Sequence, residues 1–281
     1  MDLTEIRTTI IVAVASDDYL QETLVLKGGN ALELVHRIGE RASLDVDFSL
    51  EGDFDSPEDV RERLFRALRD RFDSAGYVLF DEEFGPRPSN RAFGSRWGGY
   101  SAAFKLIGKE LLRELGGDLD QMRRQAVESG PNHERRFRIE ISAFEYCGGK
   151  QEADIRHYTC FVYSLDMIVV EKLRAICQQS PKYPQRKNPT PRARDFYDIW
   201  ASVSQGGVDF SRPELHALVR TIFDAKQVGL SLIGDIHESR EFHRRDWPAV
   251  VNAVRLRPRQ FDFYFEFVLA EATRLEALWV M

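Results

Sequence analysis

Cysteine is scarce in this chain. Cys147, Cys160 and Cys177 stand far apart among 281 residues, and no two form a C-x-x-C pair. That usage excludes a disulfide framework and a cysteine-rich zinc site, and it fits a reducing compartment. Long apolar runs are missing too, with none near the ~18 residues that a membrane-spanning helix needs. The opening Met1-Asp2-Leu3-Thr4-Glu5 lacks the basic-then-apolar order of a secretory signal. The expectation is a soluble, cytoplasmic protein without a membrane partner. The six histidines (His36, His133, His157, His216, His237 and His243) show no H-E-x-x-H or H-x-H spacing, and neither a G-x-S-x-G nor a Walker A sequence occurs. A net charge of −6 excludes attraction of the whole surface to nucleic acid but leaves room for a local basic patch.

What is present describes a globular protein of one large or two modest domains, with 43% hydrophobic and 30% charged residues. The spacing predicts a helix over 3–20 with Thr4 as its cap, then a short strand at Leu24-Val25-Leu26 broken by Gly28-Gly29. A helical stretch through Ala31, Leu32, Val35 and Ile38 follows. Ser56-Pro57-Glu58-Asp59 is a helix start with serine as cap and proline in the first turn. Strands are expected over 77–84 and 100–107, separated by a loop rich in Gly, Pro and Arg. Residues 109–129 read as a helix interrupted at Gly116-Gly117. Further strands are expected over 136–143 and 155–162. Beyond 163 the pattern turns helical, with a capping box at Ser211-Arg212-Pro213-Glu214, a helix over 238–254 and a tail helix through Phe261, Phe265 and Val268. Two domains are expected, 1–162 and 163–281.

The chemistry concentrates in a few places. Leu44, Val46, Phe48 and Leu50 alternate with Asp45, Asp47 and Ser49. On a strand this puts both carboxylates on one face, either as wet surface acids or as ligands of a hard divalent cation. The preceding Gly28-Gly29 lets a phosphate approach backbone N–H groups closely, and Ser43 could donate a hydroxyl to it. Glu140 sits between Ile139 and Ile141 on a second alternating strand. It reads either as a surface partner of Arg138 or as a third carboxylate of a two-metal site with Asp45 and Asp47. Lys172, in phase with Ile168 and Ile176, either snorkels or reaches toward phosphate. Asp195 and Asp198 share a helix face, and Asp195 could instead cap the helix opening at Phe196. The loop 181–194 carries Lys182, Arg186, Lys187, Arg192 and Arg194 with few acids, and Tyr183 offers a ring for base stacking. The loop reads either as solvated surface charge or as a surface that suits a polyanionic acceptor.

Four ordered pieces of the chain resemble one family. Lys27-Gly28-Gly29-Asn30-Ala31-Leu32 with Arg41-Ala42-Ser43-Leu44-Asp45-Val46-Asp47-Phe48 is similar to the opening motif of the AbiEii toxins, within the DNA polymerase β-like nucleotidyltransferases. Arg138-Ile139-Glu140-Ile141 resembles the family's third-carboxylate strand. Val170-Glu171-Lys172-Leu173-Arg174-Ala175 and Arg194-Asp195-Phe196-Tyr197-Asp198-Ile199 resemble its later motifs. The resemblance implies an α+β fold, a nucleotidyltransferase core of small mixed sheet with flanking helices followed by a helical carboxy-terminal region. It also implies transfer of a nucleoside monophosphate from an NTP to an acceptor hydroxyl, with Mg²⁺ in a two-metal site and RNA, transfer RNA included, as the acceptor class. A cognate antitoxin protein would be a partner. Carried over by position, Asp45, Asp47 and Glu140 would bind metal; Lys27, Gly28, Gly29, Arg41 and Ser43 would hold the nucleotide; Lys172 would contact phosphate and Asp195 would support catalysis. Asn30 stands where threonine is commoner. Two other readings remain open: a non-catalytic nucleotide- or partner-binding module on this scaffold, and a nucleotidyltransferase acting on a small molecule such as an antibiotic.

Overall fold

The computed structural model describes residues 1–39, 45–91, 96–130, 133–185, 188–254 and 257–280. The chain forms two compact units, one of residues 1–30 with 43–162 and the other of residues 31–42 with 163–281.

The first unit is built on a mixed sheet of seven strands among the described residues. They are β1 (Val25–Lys27), β2 (Val46–Ser49), β3 (Tyr77–Arg87), β4 (Gly99–Gly108), β5 (Phe137–Ser142), β6 (Gln151–Ile155) and β7 (Tyr158–Val162), in the order β3-β4-β5-β2-β1-β7-β6. The β1–β7 and β2–β5 pairs are parallel and the rest antiparallel. The alternation read from the sequence holds: Leu26, Val46, Phe48, Ile139, Ile141 and Ala102 are buried on one face. Phe104 belongs to that face, and Phe72 of the helix over Pro57–Ser74 lies 5.9 Å from it, centroid to centroid.

The helices of this unit begin with α1 (Leu3–Ala15) and α2 (Asp18–Thr23), two elements where one was expected over 3–20. The cap of α1 is Asp2 rather than Thr4. Its carboxylate accepts from the Glu5 N–H at 2.8 Å while Glu5 accepts in return from the Asp2 N–H, a reciprocal box that Thr4 could not make. After β1 comes a single helical turn, α3 (Gly28–Asn30). The chain then passes into the second unit, where the backbone widens into a π-helix over Ala31–His36 in place of the ordinary α-helix that sequence spacing suggests. Helix α4 (Pro57–Ser74) starts at Ser56 as expected, and α5 (Lys109–Glu114) and α6 (Leu119–Gln125) flank the Gly116-Gly117 break.

Two strand expectations are corrected. β3 runs three residues past Phe84, through Gly85, Pro86 and Arg87, because β3 is a sheet edge and a proline there removes no ladder hydrogen bond. The stretch expected as one strand over 155–162 is the end of a hairpin: Ile155 closes β6, and Arg156 and His157, at φ +48° and +68°, turn the chain into β7.

The second unit is helical. Helix α7 (Leu165–Cys177), α8 (Ala193–Gly206), α9 (Pro213–Ala225), α10 (Ser231–Gly234), α11 (Arg240–Arg244), α12 (Trp247–Ala253) and α13 (Phe261–Thr273) follow in order. The tail is helical, as favoured over its alternating phenylalanines. Phe196 of α8 meets Phe261 of α13 edge-on at 5.4 Å and stacks on Phe265 at 5.2 Å. The expected capping box at Ser211 is absent. Arg212 is the residue that precedes α9, and the Ser211 hydroxyl donates to Asp209 instead. The helix expected over 238–254 is broken into a 3₁₀ turn, α11 and α12.

Candidate active site

β1, β2, β5 and β4 lie side by side, and their register puts Lys27, Asp47, Glu140 and Ser101 in one row across the sheet. The row lies on the face opposite Phe104 and α4, because these residues have the other parity. Asp47 and Glu140 are therefore direct neighbours on parallel strands, although they come from distant parts of the chain. Asp45 stands two residues before Asp47, just outside β2. Arg41 and Ser43 lie outside the described residues.

The acids of the row influence one another. Burial, the largest cause, pushes the Glu140 carboxyl above its ordinary range; Arg87 opposes this, and the charges of Asp47 and Asp45 push it up further. Arg87, at the end of β3, donates to Glu140, and the Ser101 hydroxyl donates to the same oxygen at 3.3 Å. Neither residue carried a role in the sequence reading. Arg87 falls in the Gly-, Pro- and Arg-rich stretch expected as loop, where no strand parity aims it at Glu140.

The glycine turn touches this row from the side. Gly28 has φ +68°, and a Cβ there would fall 2.6 Å from Asp47 Oδ2. The glycine is thus required both by backbone conformation and by the carboxylate that packs against it. Gly29 follows it, buried. Lys27, expected at the nucleotide, is 6% exposed; its ammonium donates to Ser142 Oγ at 3.1 Å and lies 3.7 Å from Glu145 Oε1. Asn30 is wholly buried, accepts from Arg7 at 3.0 Å and donates to the Asp45 carbonyl at 2.6 Å.

The donor chemistry suits a hard divalent cation, since Glu140 feels the charges of both Asp45 and Asp47, and clustered carboxylates are the ligand type that Mg²⁺ takes. Among the described residues, no group of three His, Cys, Asp or Glu side chains converges tightly enough to form a finished metal site. Arg87 stands on Glu140, so the acids are gathered but not closed around a common point.

In the second unit, Lys172 is 5% exposed and its ammonium donates to Asp195 at 3.0 Å and to Asp198 at 2.7 Å, both buried. The lysine does not snorkel. Arg192 adds a further hydrogen bond to Asp195. Burial pushes the Asp195 carboxyl up, but Arg192, Lys172 and Arg194 outweigh it and hold the group well below the usual carboxylate range. Asp195 is not a cap, for α8 begins at Ala193 and the aspartate lies inside the first turn. His243, wholly buried, accepts the Arg192 backbone N–H at 3.0 Å through Nδ1, and burial lowers its pKa to about 4.

The basic loop is less open than its composition suggested. Lys182 pairs with Asp235 at 2.9 Å, Arg192 turns to Asp195, and Arg194 is exposed. Arg186 and Lys187 lie outside the described residues. Tyr183 is 2% exposed with its hydroxyl donating to the Lys226 carbonyl, so its ring is not offered to a base.

The sequence model of one family, described as nucleotidyl transferase AbiEii toxin of type IV toxin–antitoxin systems, matches residues 9–267. The chain belongs to the AbiEii family. As a member it is a nucleotidyltransferase of a toxin family that implies an NTP substrate and an antitoxin partner, and such enzymes generally use a divalent metal. The reading as a non-catalytic binding module is thereby set aside. Solved structures agree on the fold. A protein from Helicobacter pylori provisionally assigned as a nucleotidyltransferase is 15% identical at a TM-score of 0.53, over 98% of this chain and 93% of that one. The protein JHP933 from Helicobacter pylori is 16% identical at a TM-score of 0.50, over 99% of this chain and 91% of that one. No curated protein sequence is similar enough to match. Among the described residues, no helix of this AbiEii member is long and apolar enough to cross a membrane.

Proposed function

We propose that this AbiEii member transfers a nucleoside monophosphate from an NTP to a hydroxyl of RNA, in a Mg²⁺-dependent reaction centred on Asp45, Asp47 and Glu140. The observation that carries this reading is the sheet register that sets Asp47 beside Glu140, with the Gly28 turn packed against the Asp47 carboxylate. The three carboxylates would hold the metal, which when bound offsets charge on the phosphates and lowers the pKa of an attacking hydroxyl. Backbone N–H groups at Gly28 and Gly29 would receive phosphate oxygens. Arg87, which reaches Glu140 and is 62% exposed in its side chain, is a cation that could exchange that carboxylate for a phosphate. Lys27, held by Ser142 and Glu145, would add positive charge beneath the row without leaving its place. For Lys172 and Asp195 the proposed role is supporting: the ion pair keeps Asp195 ionised and fixes the start of α8.

RNA as acceptor is supported by the basic composition of 181–194, where Arg194 is exposed. The pairing of Lys182 and Arg192 with acids favours a second reading, in which the acceptor is a small molecule. Incubation with each labelled NTP and Mg²⁺, with total RNA or with a small-molecule extract, beside a protein-only control, separates them. Label in RNA supports the first reading; transfer only to small molecules supports the second. Asp45→Asn is expected to abolish transfer with the fold intact, and retained transfer would refute the carboxylate assignment.

A further inference from the structure

Asn30 is buried to 0% exposure, yet it carries an amide whose two ends are both used. Its Oδ1 accepts from the Arg7 guanidinium at 3.0 Å, and its Nδ2 donates to the backbone carbonyl of Asp45 at 2.6 Å. Arg7 is itself 3% exposed and is fixed to α1, donating to the Leu3 carbonyl at 3.3 Å and to Thr4 Oγ1 at 3.0 Å. Helix α1 is in turn anchored at its start by the Asp2–Glu5 box. A continuous chain of hydrogen bonds therefore runs from α1 through Arg7 and Asn30 to the backbone of Asp45. Asp45 precedes β2 and has no ladder position of its own, unlike Asp47. The Asn30 amide is one anchor of its main chain.

A residue directly after a glycine pair at a phosphate-binding turn would ordinarily be read as a contact to the nucleotide. Burial and partners argue otherwise here. We propose that Asn30 is a positioning residue, which with Arg7 fixes the Asp45 main chain and so sets where the Asp45 carboxylate stands for metal binding. The inference rests on the reading of Asp45 as a metal ligand. An amide is suited to the task because it accepts from a cation at one end and donates to a carbonyl at the other. Inside a protein, such fully satisfied polar chains hold a single geometry. Loss of either member removes this hold on the Asp45 main chain, which weakens the binding of a cation more than that of a nucleotide held by backbone N–H groups.

The test uses the full chain with Mn²⁺ as probe, its binding followed by electron paramagnetic resonance, alongside steady-state transfer kinetics. Asn30→Leu keeps the shape and removes both hydrogen bonds. The expected result is Mn²⁺ affinity about tenfold weaker and kcat reduced, with the KM for NTP changed less than twofold. Arg7→Met should give the same pattern, and the double variant should be no worse than either single one, because both act through one chain of contacts. The double variant also keeps the test sharp if Asn30→Leu alone, which strands a buried guanidinium, does not fold. A folded Asn30→Leu protein with unchanged Mn²⁺ affinity would overturn the proposal, as would a raised KM for NTP with Mn²⁺ affinity intact. Asp45→Asn serves as the control for the metal reading. Should it bind Mn²⁺ as the wild type does, Asp45 is no ligand, and amide exchange over 45–47 then decides: faster exchange in Asn30→Leu upholds the anchor, and unchanged exchange removes it.

Discussion

Lys172 is a buried charge held between two acids. Its ammonium sits between two carboxylates in a place almost closed to water. Removing one member of a buried ion pair leaves uncompensated charge, an effect of about 3–5 kcal/mol. Lys172→Met should therefore lower the unfolding free energy by about that amount in urea titrations at pH 7. A loss below about 1 kcal/mol would mean that Asp195 and Asp198 find other partners. His243 makes a second prediction, for pH. Its folded pKa, about 4, lies below the ordinary 6.5 because burial disfavours the imidazolium. Between those values the unfolded chain binds the proton and the folded one does not, so stability is fully present above pH 6.5 and falls as pH drops toward 4. The two and a half units amount to about 3 kcal/mol. His243→Asn can still accept the Arg192 N–H. It should be less stable at pH 7, through lost packing on Phe196, and should lack this part of the acid dependence. An unchanged pH profile in unfolding experiments would assign the acid sensitivity elsewhere.

At the level of elements, the turn between β1 and α3 joins conformation to chemistry. Gly28→Ala would place a side chain at φ +68° and drive its Cβ against the Asp47 carboxylate. The expected outcome is a stability loss of about 1–3 kcal/mol and a fall in transfer of about a hundredfold or more. Gly207, which ends α8 at φ +73° with open space around it, is the control. Gly207→Ala should show about 1 kcal/mol of strain with transfer unchanged. Equal transfer by both variants would detach the glycine turn from the reaction. These elements also show what the sequence discloses. The period-2 alternation of 44–50 and of 136–143 marks both acidic strands and their buried faces, because each pattern is local. That β2 and β5 are parallel neighbours, and that Asp47 meets Glu140, is a matter of long-range pairing that no local pattern encodes. Arg87 escaped notice for a related reason. Gly85 and Pro86 signal a turn unless the strand is known to be an edge. Asn30 was legible as a departure from the family pattern but not as a strut, since its partners come from α1 and from the segment before β2.

Over the whole molecule, the chain enters the second unit early and returns. Residues 31–42 belong with 163–281, so a cut at the obvious change of character near 163 removes part of that unit. The reason is packing. Ile38 is 6% exposed, and its Cδ1 would lie 2.6 Å from a Cβ at Gly206, whose lack of a side chain lets Ile38 and Leu165 close on α8. His36 Nε2 is 2.8 Å from the Tyr163 carbonyl, and the Gly39 N–H donates to Gln205. A fragment of 163–281 would expose the surface that Ile38 covers and leave the Tyr163 carbonyl without His36. Burying one large aliphatic side chain contributes about 1.5–3 kcal/mol, a substantial share of the stability of a unit this size. The fragment alone should therefore melt at a lower temperature than the same fragment mixed with excess peptide spanning 31–42, as followed by circular dichroism at 222 nm. Peptide with Ile38→Asp should give no such rise. If the native peptide leaves the melting temperature unchanged, residues 31–42 ride on the second unit without stabilising it.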